Sequence, residues 1–599
     1  MTASALPHWD MTVVFPSLES PEFNAEFSAY TAQLTEIACL FNTHDIRKLS
    51  KSPPLAEMAA SFETITAALN PFLERTQTLR AYINSFVATD SRNARAQACM
   101  SDLLQATVTL NQLTTRLAAW IGSLDVEALL AGSSTAREYE YLIHQTQRQA
   151  KHLMSPAEED LTAAFNPSSG SAWGRLYNNL TSQIVVPVEL NGEMKMLPMS
   201  SVRNLAYEPE RAVRQTAYTA ELGAWKANAL PLAAAINGIK GEVITLASRR
   251  NWASPLEATL FDSAIDPATL DAMLQAAHEY FPHFRRYLRA KARLLGQEKL
   301  VWYDLFAPVG VTRQEWSYEN AKALIIAQFG GYSNRMGEFA ARAFRENWID
   351  AEPRTGKRDG AFCMGLRRDE SRVMTNYQPG YKSVLTLAHE LGHAYHNLNL
   401  AHQPMLNRDT PMTLAETASI FSETIVRKAL LVQLPQSERL GILEASLVNA
   451  TQVVVDITSR FIFEQSVFKS RARRDLSIDE LSQLMVSAQQ VTYGDGLDSE
   501  YPHPFMWAAK PHYYSSDRSF YNFPYMFGFL FGLGLYARYQ QAPEAFKTRY
   551  DALLASTGLG DATALASKMG IDLHSVEFWR SSLETVRIDI DQFIELSAS

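Results

Sequence analysis

The stretch that most constrains this chain is residues 383–396, because it sets two histidines four residues apart in a mostly apolar segment. Residues four apart on an α-helix lie one turn apart on the same face, so the rings of His389 and His393 can reach one small cation. Zinc is the ion that this spacing most often indicates. Glu390 projects beside the cation rather than onto it, so its carboxylate can take a proton from a water that the metal activates.

The residues around this pair favour a buried helix over an amphipathic surface helix with exposed histidines. Apolar side chains occupy most of the circumference of this helix, at Val384, Leu385, Leu387, Ala388 and Leu391. A helix that is apolar nearly all round is buried, and buried imidazoles need polar partners. The sequence therefore predicts a metal site on this helix.

A catalytic zinc ion usually keeps three protein ligands and one open position, so a third ligand is needed. Residues 413–425 read as a second helix, with Glu416 and Glu423 seven apart on one face. We assign Glu416 as the third metal ligand and Glu423 as the acceptor that orients a ligating histidine. Spacing alone does not rank the two, and a solvated helix glutamate is the alternative for each.

The motif His389-Glu-Leu-Gly-His393, followed by Glu416-Thr-Ala-Ser-Ile-Phe-Ser-Glu423, resembles the thimet-type zinc metallopeptidases of family M3. Its details are most similar to the oligoendopeptidase F branch of that family. Shorter segments carry the resemblance through most of the chain, at residues 9–10, 170–177, 254–257, 302–305, 360–363 and 511–514.

This resemblance implies a mainly α-helical, two-lobed enzyme that encloses a substrate channel, with a small β-sheet beside the active-site helix. It implies one Zn²⁺ per chain, held by His389, His393 and Glu416. The expected activity is zinc-dependent endopeptidase hydrolysis of internal bonds, with Glu390 as general base. Short, unstructured oligopeptides are the expected substrates, because a closed channel excludes folded proteins.

Between residues 353 and 379 the helical pattern stops, and short strands are predicted at 361–365 and 371–377. A peptidase needs an exposed strand edge to hold an extended peptide by backbone hydrogen bonds. The resembled family has a glycine-rich edge along its channel, which implies that Gly360, Ala361, Phe362 and Cys363 contact the substrate backbone. A surface loop is the alternative.

A late aromatic segment supplies candidates for stabilising the oxyanion that forms when water attacks a peptide carbonyl. The resembled peptidases use a late histidine and tyrosines in this role, which implies His512 together with Tyr521 or Tyr525. The chain departs from the oligoendopeptidase pattern by extra residues at 515–517, between that histidine and the tyrosines.

The length of 599 residues exceeds what one core usually supports, so more than one lobe is expected. Successive amphipathic helices are predicted at 21–41, 55–87, 91–123 and 155–165, and Asn191-Gly192 predicts a β-hairpin. We therefore divide the chain into an N-terminal helical lobe, residues 1–185, and a catalytic zinc-peptidase domain, residues 186–599.

Composition limits the cellular compartments and the classes of binding partner that we expect for this protein. The net charge of −9, with both signs mixed along the chain, gives no indication of nucleic-acid binding. Three widely spaced cysteines fit a reducing compartment, and the N-terminus lacks signal-peptide features, so a cytoplasmic location is expected. The longest apolar run, residues 523–537, is too short and too rich in glycine to predict a membrane span. Oligomeric state is not indicated.

Two other functions are compatible with parts of this pattern. A carboxypeptidase of similar helical build would need a positive group to fix the substrate's C-terminal carboxylate. A non-catalytic peptide-binding protein with a structural metal is less favoured, because Glu390 is present and structural zinc sites usually use four protein ligands.

Overall fold

The computed structural model describes residues 6–310 and 315–598. Helices dominate it, as predicted. The helices of the first half are α1 Pro21–Thr43, α2 Leu55–Thr89, α3 Ala94–Ile121, α4 Val126–Gly132, α5 Ser134–Glu138, α6 Glu140–Ala150, α7 Pro156–Phe165, α8 Gly170–Ser182, α9 Met199–Asn204, α10 Arg211–Ala227, α11 Ala229–Arg249, α12 Pro255–Asp262 and α13 Pro267–Leu294.

The second half continues with helices that surround a short sheet region. They are α14 Tyr318–Tyr332, α15 Asn334–Arg345, α16 Tyr381–Leu400, α17 Met412–Ala415, α18 Thr417–Gln433, α19 Gln436–Ala450, α20 Ile457–Arg471, α21 Ile478–Tyr493, α22 Met506–Ala509, α23 Phe523–Gln541, α24 Pro543–Leu554, α25 Ala562–Lys568 and α26 Val576–Ala598. The strands are β1 Val185–Leu190, β2 Glu193–Pro198, β3 Ile349–Asp350, β4 Phe362–Arg367 and β5 Glu370–Met374.

The chain divides into two compact units, each built from three separate segments. The first unit contains Met1–His152, Gln314–Leu430 and Arg538–Ile571. The second contains Leu153–Arg313, Leu431–Ala537 and Asp572–Ser599. This division is based on spatial contacts between residues. The predicted boundary after residue 185 was based on the change from helical to strand pattern in the sequence, and it stays a prediction.

In the first unit, α1 to α3 form where amphipathic helices were predicted, and side-chain caps set their starts. Ser20 and Asn93 accept hydrogen bonds from backbone N–H groups in the first turns of α1 and α3. Their apolar faces meet around Tyr30 and Phe72, whose rings stack with centroids 4.8 Å apart. These helices are a packed scaffold without a cluster of catalytic groups among the side chains described here.

A three-stranded sheet in the same unit has the order β3-β5-β4. β3 is parallel to β5, and β4 is antiparallel to β5. β4 packs against α2 and α16, and Leu366 of β4 is buried in the core formed by α1 to α3. The predicted small sheet beside the helix that carries the two histidines is therefore confirmed.

α24 holds α16 from another side. The Tyr395 hydroxyl on α16 donates to Asp551 Oδ1 at 2.7 Å, and Arg335 pairs with the other oxygen of Asp551 at 2.6 Å. Tyr395 is fully buried. A segment far downstream in sequence therefore fixes the helix that carries the histidines.

In the second unit, Asn191 and Gly192 form the hairpin turn with φ values of 55° and 79°, and β1 pairs with β2 in antiparallel register. Such left-handed conformations suit asparagine and glycine, which explains why this dipeptide predicted the turn. Three buried ion pairs brace the helices of this unit: Arg214–Asp304, Lys240–Glu464 and Lys291–Glu444.

Two helical spans, Ala229–Arg249 and Glu438–Arg471, have the length and hydropathy of membrane spans. In the fold, 44% and 61% of their most apolar windows are buried. Core helices of globular proteins share these properties, so the spans are weak evidence for a membrane. The apolar run at residues 523–537 lies in α23, most of which is buried, as predicted.

The closest helix contact at the histidines depends on Gly392. A Cβ atom at this position would lie 2.6 Å from Ser419 Cα and 2.7 Å from the Ala418 carbonyl oxygen. Both are backbone atoms, so they cannot move aside by changing rotamer. Gly392 therefore lets α16 and α18 approach closely enough to bring their side chains together.

We expect Gly392→Ala to destabilise the protein by about 1–3 kcal/mol, because the added methyl group overpacks the contact between α16 and α18. Urea unfolding monitored by circular dichroism measures the change. Gly331→Ala in α14 is the matched control, since nothing lies within 4 Å of its Cβ position. That control should be neutral or stabilising by up to about 1 kcal/mol. Equal behaviour of both variants would contradict the packing argument.

Candidate metal centre

Three side chains predicted as metal ligands come together in the first unit. Glu416 Oε2 lies 3.2 Å from His389 Nε2 and 3.5 Å from His393 Nε2. One ligand atom from each of the three side chains lies within 4.8 Å of the others. Two imidazole nitrogens and one carboxylate oxygen are a donor set that suits zinc and leaves a position for water or substrate. The residues therefore fit the ion that the sequence predicts.

The local structure at Glu416 differs from the single helix predicted over residues 413–425. Helix α17 ends at Ala415, Glu416 adopts a non-helical conformation, and α18 starts at Thr417. At this break the Thr417 hydroxyl donates to the Leu414 carbonyl at 2.6 Å. Such side-chain bonds compete with helical ones. At this break the Glu416 carboxylate lies beside His389 and His393 of α16.

Two of the three candidate ligands, His389 and Glu416, have a further polar partner. Glu423 Oε2 lies 3.1 Å from His389 Nδ1, as the assignment of this residue to an orienting role requires. Ser419 Oγ donates to Glu416 Oε2 at 2.7 Å. An N–H donated from Nδ1 leaves Nε2 of the same ring with the lone pair that a metal requires.

Burial and charge perturb these ligands strongly. Burial opposes protonation of His389, but its hydrogen bonds to Glu416 and Glu423 outweigh this effect and raise its pKa to about 10. Burial lowers the pKa of His393 to about 4. Burial also opposes ionisation of Glu416, yet His389 and His393 lower its pKa to about 2. The two carboxylates, Glu416 and Glu423, therefore favour a positive charge at His389. Without a metal this charge is a proton on the imidazole, and a metal cation competes with that proton for the ring nitrogen.

Glu390 is buried next to the ligands, with 6% of its surface exposed. Burial, and then the charges of Glu416 and Glu423, raise the pKa of its carboxyl group to about 7, although His389 acts in the opposite direction. A carboxylate with a pKa near neutrality can both accept and return a proton. Its environment is therefore suited to general base catalysis.

The predicted substrate edge corresponds to the start of β4. Gly360 has φ = 81°, and its carbonyl accepts a hydrogen bond from Asn376. Phe362 and Cys363 open β4, which lies at one end of the sheet order. Burial raises the pKa of the Cys363 thiol, so this group stays protonated and is not a nucleophile. Contact of Gly360, Ala361, Phe362 and Cys363 with substrate stays a prediction.

The predicted oxyanion residues lie together in the second unit. The rings of His512 and Tyr521 stack with centroids 4.7 Å apart, and the Tyr521 and Tyr525 hydroxyls are 2.8 Å apart. Burial, and then the positive charges of Arg460 and Lys510, lower the pKa of His512 to about 4. Its ring is therefore neutral at neutral pH and has one N–H to donate.

Comparison with known proteins gives the same family as the residues. Residues 204–585 match the profile of "Peptidase family M3", and residues 121–185 match "Oligopeptidase F". An "Oligoendopeptidase F homolog" of Lactococcus lactis subsp. lactis is 23% identical over 96% of this chain and 95% of its own length. "Oligopeptidase PepF" of Bacillus subtilis is 22% identical over 98% of this chain and 87% of its own length.

Solved structures share the fold along almost the whole chain. The structure of a Chlamydophila abortus protein superposes with a TM-score of 0.84 at 19% identity, covering 98% of each chain. Oligoendopeptidase F from Enterococcus faecium superposes with a TM-score of 0.68 at 20% identity, over 96% of this chain and 98% of its own. The family profile covers more than half of the chain; the chain therefore belongs to peptidase family M3, and this membership indicates a metalloendopeptidase.

Proposed function

We propose that this protein is a zinc-dependent endopeptidase that hydrolyses internal bonds of short, unstructured oligopeptides. The observation that carries the proposal is the convergence of His389, His393 and Glu416 on one point, with buried Glu390 beside them. Family membership supports the peptidase reaction, and the names of the relatives support oligopeptides as substrates.

His389, His393 and Glu416 would hold the ion, and Glu423 would keep His389 in the tautomer that ligates through Nε2. When bound, Zn²⁺ supplies Lewis acidity that activates water and polarises the scissile carbonyl. The Glu390 carboxylate accepts a proton from the attacking water. It then delivers that proton to the nitrogen of the leaving amine as the peptide bond breaks.

In this proposal, the neutral ring of His512 donates an N–H to the developing oxyanion. Tyr521 or Tyr525 supplies a second donor, and the hydrogen bond between their hydroxyls orients the pair. The backbone of Gly360 to Cys363 holds the peptide in extended form along the end of β4. These groups act on the peptide backbone and place no demand on side-chain identity.

We expect Glu390→Gln to retain zinc and to lower kcat by at least about 100-fold, because the amide cannot accept the proton. Steady-state assays with a quenched fluorescent peptide, together with metal analysis, measure both quantities. Glu338→Gln is the control, because Glu338 is an exposed glutamate on α15. A Glu390→Gln enzyme that keeps most of its activity would remove the general-base assignment.

Replacing an oxyanion donor should lower kcat by about 10²–10³-fold with little change in KM. His512→Ala, Tyr521→Phe and Tyr525→Phe, assayed side by side, identify which tyrosine carries the role. Tyr513→Phe is the matched control, since Tyr513 is fully buried against Phe463 and its hydroxyl has no hydrogen-bond partner among the described residues. Unchanged kcat in all three variants would refute the assignment.

The whole proposal is tested with end-blocked peptides of graded length, assayed with and without a zinc chelator. An endopeptidase cleaves blocked peptides internally, and chelation abolishes the cleavage. Mass spectrometry of the products reads the cleaved bonds and any length limit. Cleavage restricted to peptides with a free C-terminus would instead support a carboxypeptidase. Zinc binding without cleavage of either kind would support the peptide-binding alternative.

A further inference from the structure

The two tyrosines of the proposed oxyanion site lie on different kinds of backbone. Tyr521 precedes α23, whereas Tyr525 lies in the first turn of that helix. Asn522 directly precedes the helix, and its carbonyl accepts a hydrogen bond from the Tyr525 N–H at 3.1 Å. The backbone at Asn522 therefore determines how the two tyrosine side chains are placed relative to each other.

The side chain of Asn522 is held by a residue of α20. Asn522 is 6% exposed, and Arg460 Nη1 donates to its Oδ1 at 3.1 Å. Arg460 Nη2 pairs with Asp456, one turn earlier, and Asp456 is itself 4% exposed. The rigid, planar guanidinium thus uses two separate nitrogens for two buried partners, so its orientation toward Asn522 is fixed.

The segment that precedes Arg460 has an uncommon backbone. Residues Thr451–Asp456 form a π-helical turn between α19 and α20. Such turns are rare in proteins, and they occur frequently at functional sites. A π-helical turn contains more residues than an α-helical turn, so side chains that follow it point in a different direction from those of an uninterrupted helix. The turn therefore changes the face of the helix on which Arg460 lies.

α20 also holds the residue before Tyr521. Phe520 is 4% exposed, and its ring lies against those of Phe461 and Phe468, with centroid distances of 5.3 and 5.4 Å. Its backbone has φ = 51°, in the left-handed region that bulky side chains rarely adopt. Strained residues of this kind persist only where their surroundings hold them, and they cluster at active sites. α20 thus contacts both sequence neighbours of Tyr521.

We propose that Arg460 and Asn522 are positioning residues for the tyrosine hydroxyls. Arg460, paired with Asp456, holds the Asn522 side chain, and Asn522 holds the backbone at which Tyr521 and Tyr525 are aligned. The inference rests on the proposed function, in which one of these tyrosines donates to the oxyanion. It assigns to α20 a supporting role that needs no contact with the substrate.

The test is Asn522→Leu, which removes the acceptor and keeps a side chain of similar size. We expect its kcat to fall about 10–100-fold with little change in KM, because a misplaced donor weakens binding of the transition state rather than of the substrate. Asn522→Asp keeps an acceptor for Arg460 and should retain most of the wild-type kcat.

Asn237→Leu is the matched control, because Asn237 is a buried asparagine of the same unit. It is 7% exposed, and its amide donates to the Leu476 carbonyl at 2.8 Å. This control should lower the melting temperature and leave kcat unchanged. A kcat in Asn522→Leu that equals the wild-type value would overturn the inference.

A double-mutant cycle separates positioning from a general loss of structure. Asn522→Leu should have little further effect on kcat in a Tyr521→Phe or Tyr525→Phe enzyme, whichever of these lowers kcat when made alone. Effects that multiply independently would overturn the inference. A crystal structure of Asn522→Leu should show the two hydroxyls beyond about 3.5 Å, outside hydrogen-bond distance, and an unchanged separation would also overturn it.

Should Asn522→Leu fail to fold, Arg460→Lys takes its place. Lysine keeps a cation for Asp456 but has no planar group to bond both partners through separate nitrogens. A wild-type kcat in Arg460→Lys would overturn the inference. Unchanged kcat in both Tyr521→Phe and Tyr525→Phe would instead refute the oxyanion assignment itself, and this inference with it.

Discussion

The candidate metal centre depends on the direct contact between two helix backbones at Gly392. Two of the three candidate ligands are on α16, and the third is at the start of α18. The side chain of glutamate is short. The Glu416 carboxylate can therefore reach both imidazoles only if the backbone of Glu416 lies close to the backbone of α16. The absence of a side chain at Gly392 permits that approach. The partly buried carboxylates of Glu416 and Glu423 then favour a cation at His389.

Much of this arrangement could be predicted from local sequence. The spacing of His389 and His393 defines one helix face, and the apolar residues around them predict its burial. Helix starts and tight turns depend on interactions within a few residues, so short segments are enough to predict them. Examples are the helix starts at Ser20 and Asn93 and the turn at Asn191-Gly192. Spacing did not rank Glu416 above Glu423 as the ligand, because two glutamates on one predicted helix face are equivalent by spacing.

Other features could not be predicted, because they depend on contacts between distant segments. Periodicity did not reveal the helix break at Glu416, because the apolar pattern continues through it. The hydrogen bond from Arg460 to Asn522 joins residues 62 apart in sequence, and no motif around either residue predicts it. The hydrogen bond between the Tyr521 and Tyr525 hydroxyls was not predicted, although the family resemblance had made both residues candidates.

The interleaved order of the segments has a consequence for synthesis of the enzyme. The first unit needs residues 538–571, which supply Asp551 to hold Tyr395. A ribosome makes these residues more than 100 residues after Glu416. The two histidines, Glu390 and Glu416 are therefore translated well before the contacts that fix α16 exist. The candidate metal centre therefore rests on segments that are synthesised at widely separated times.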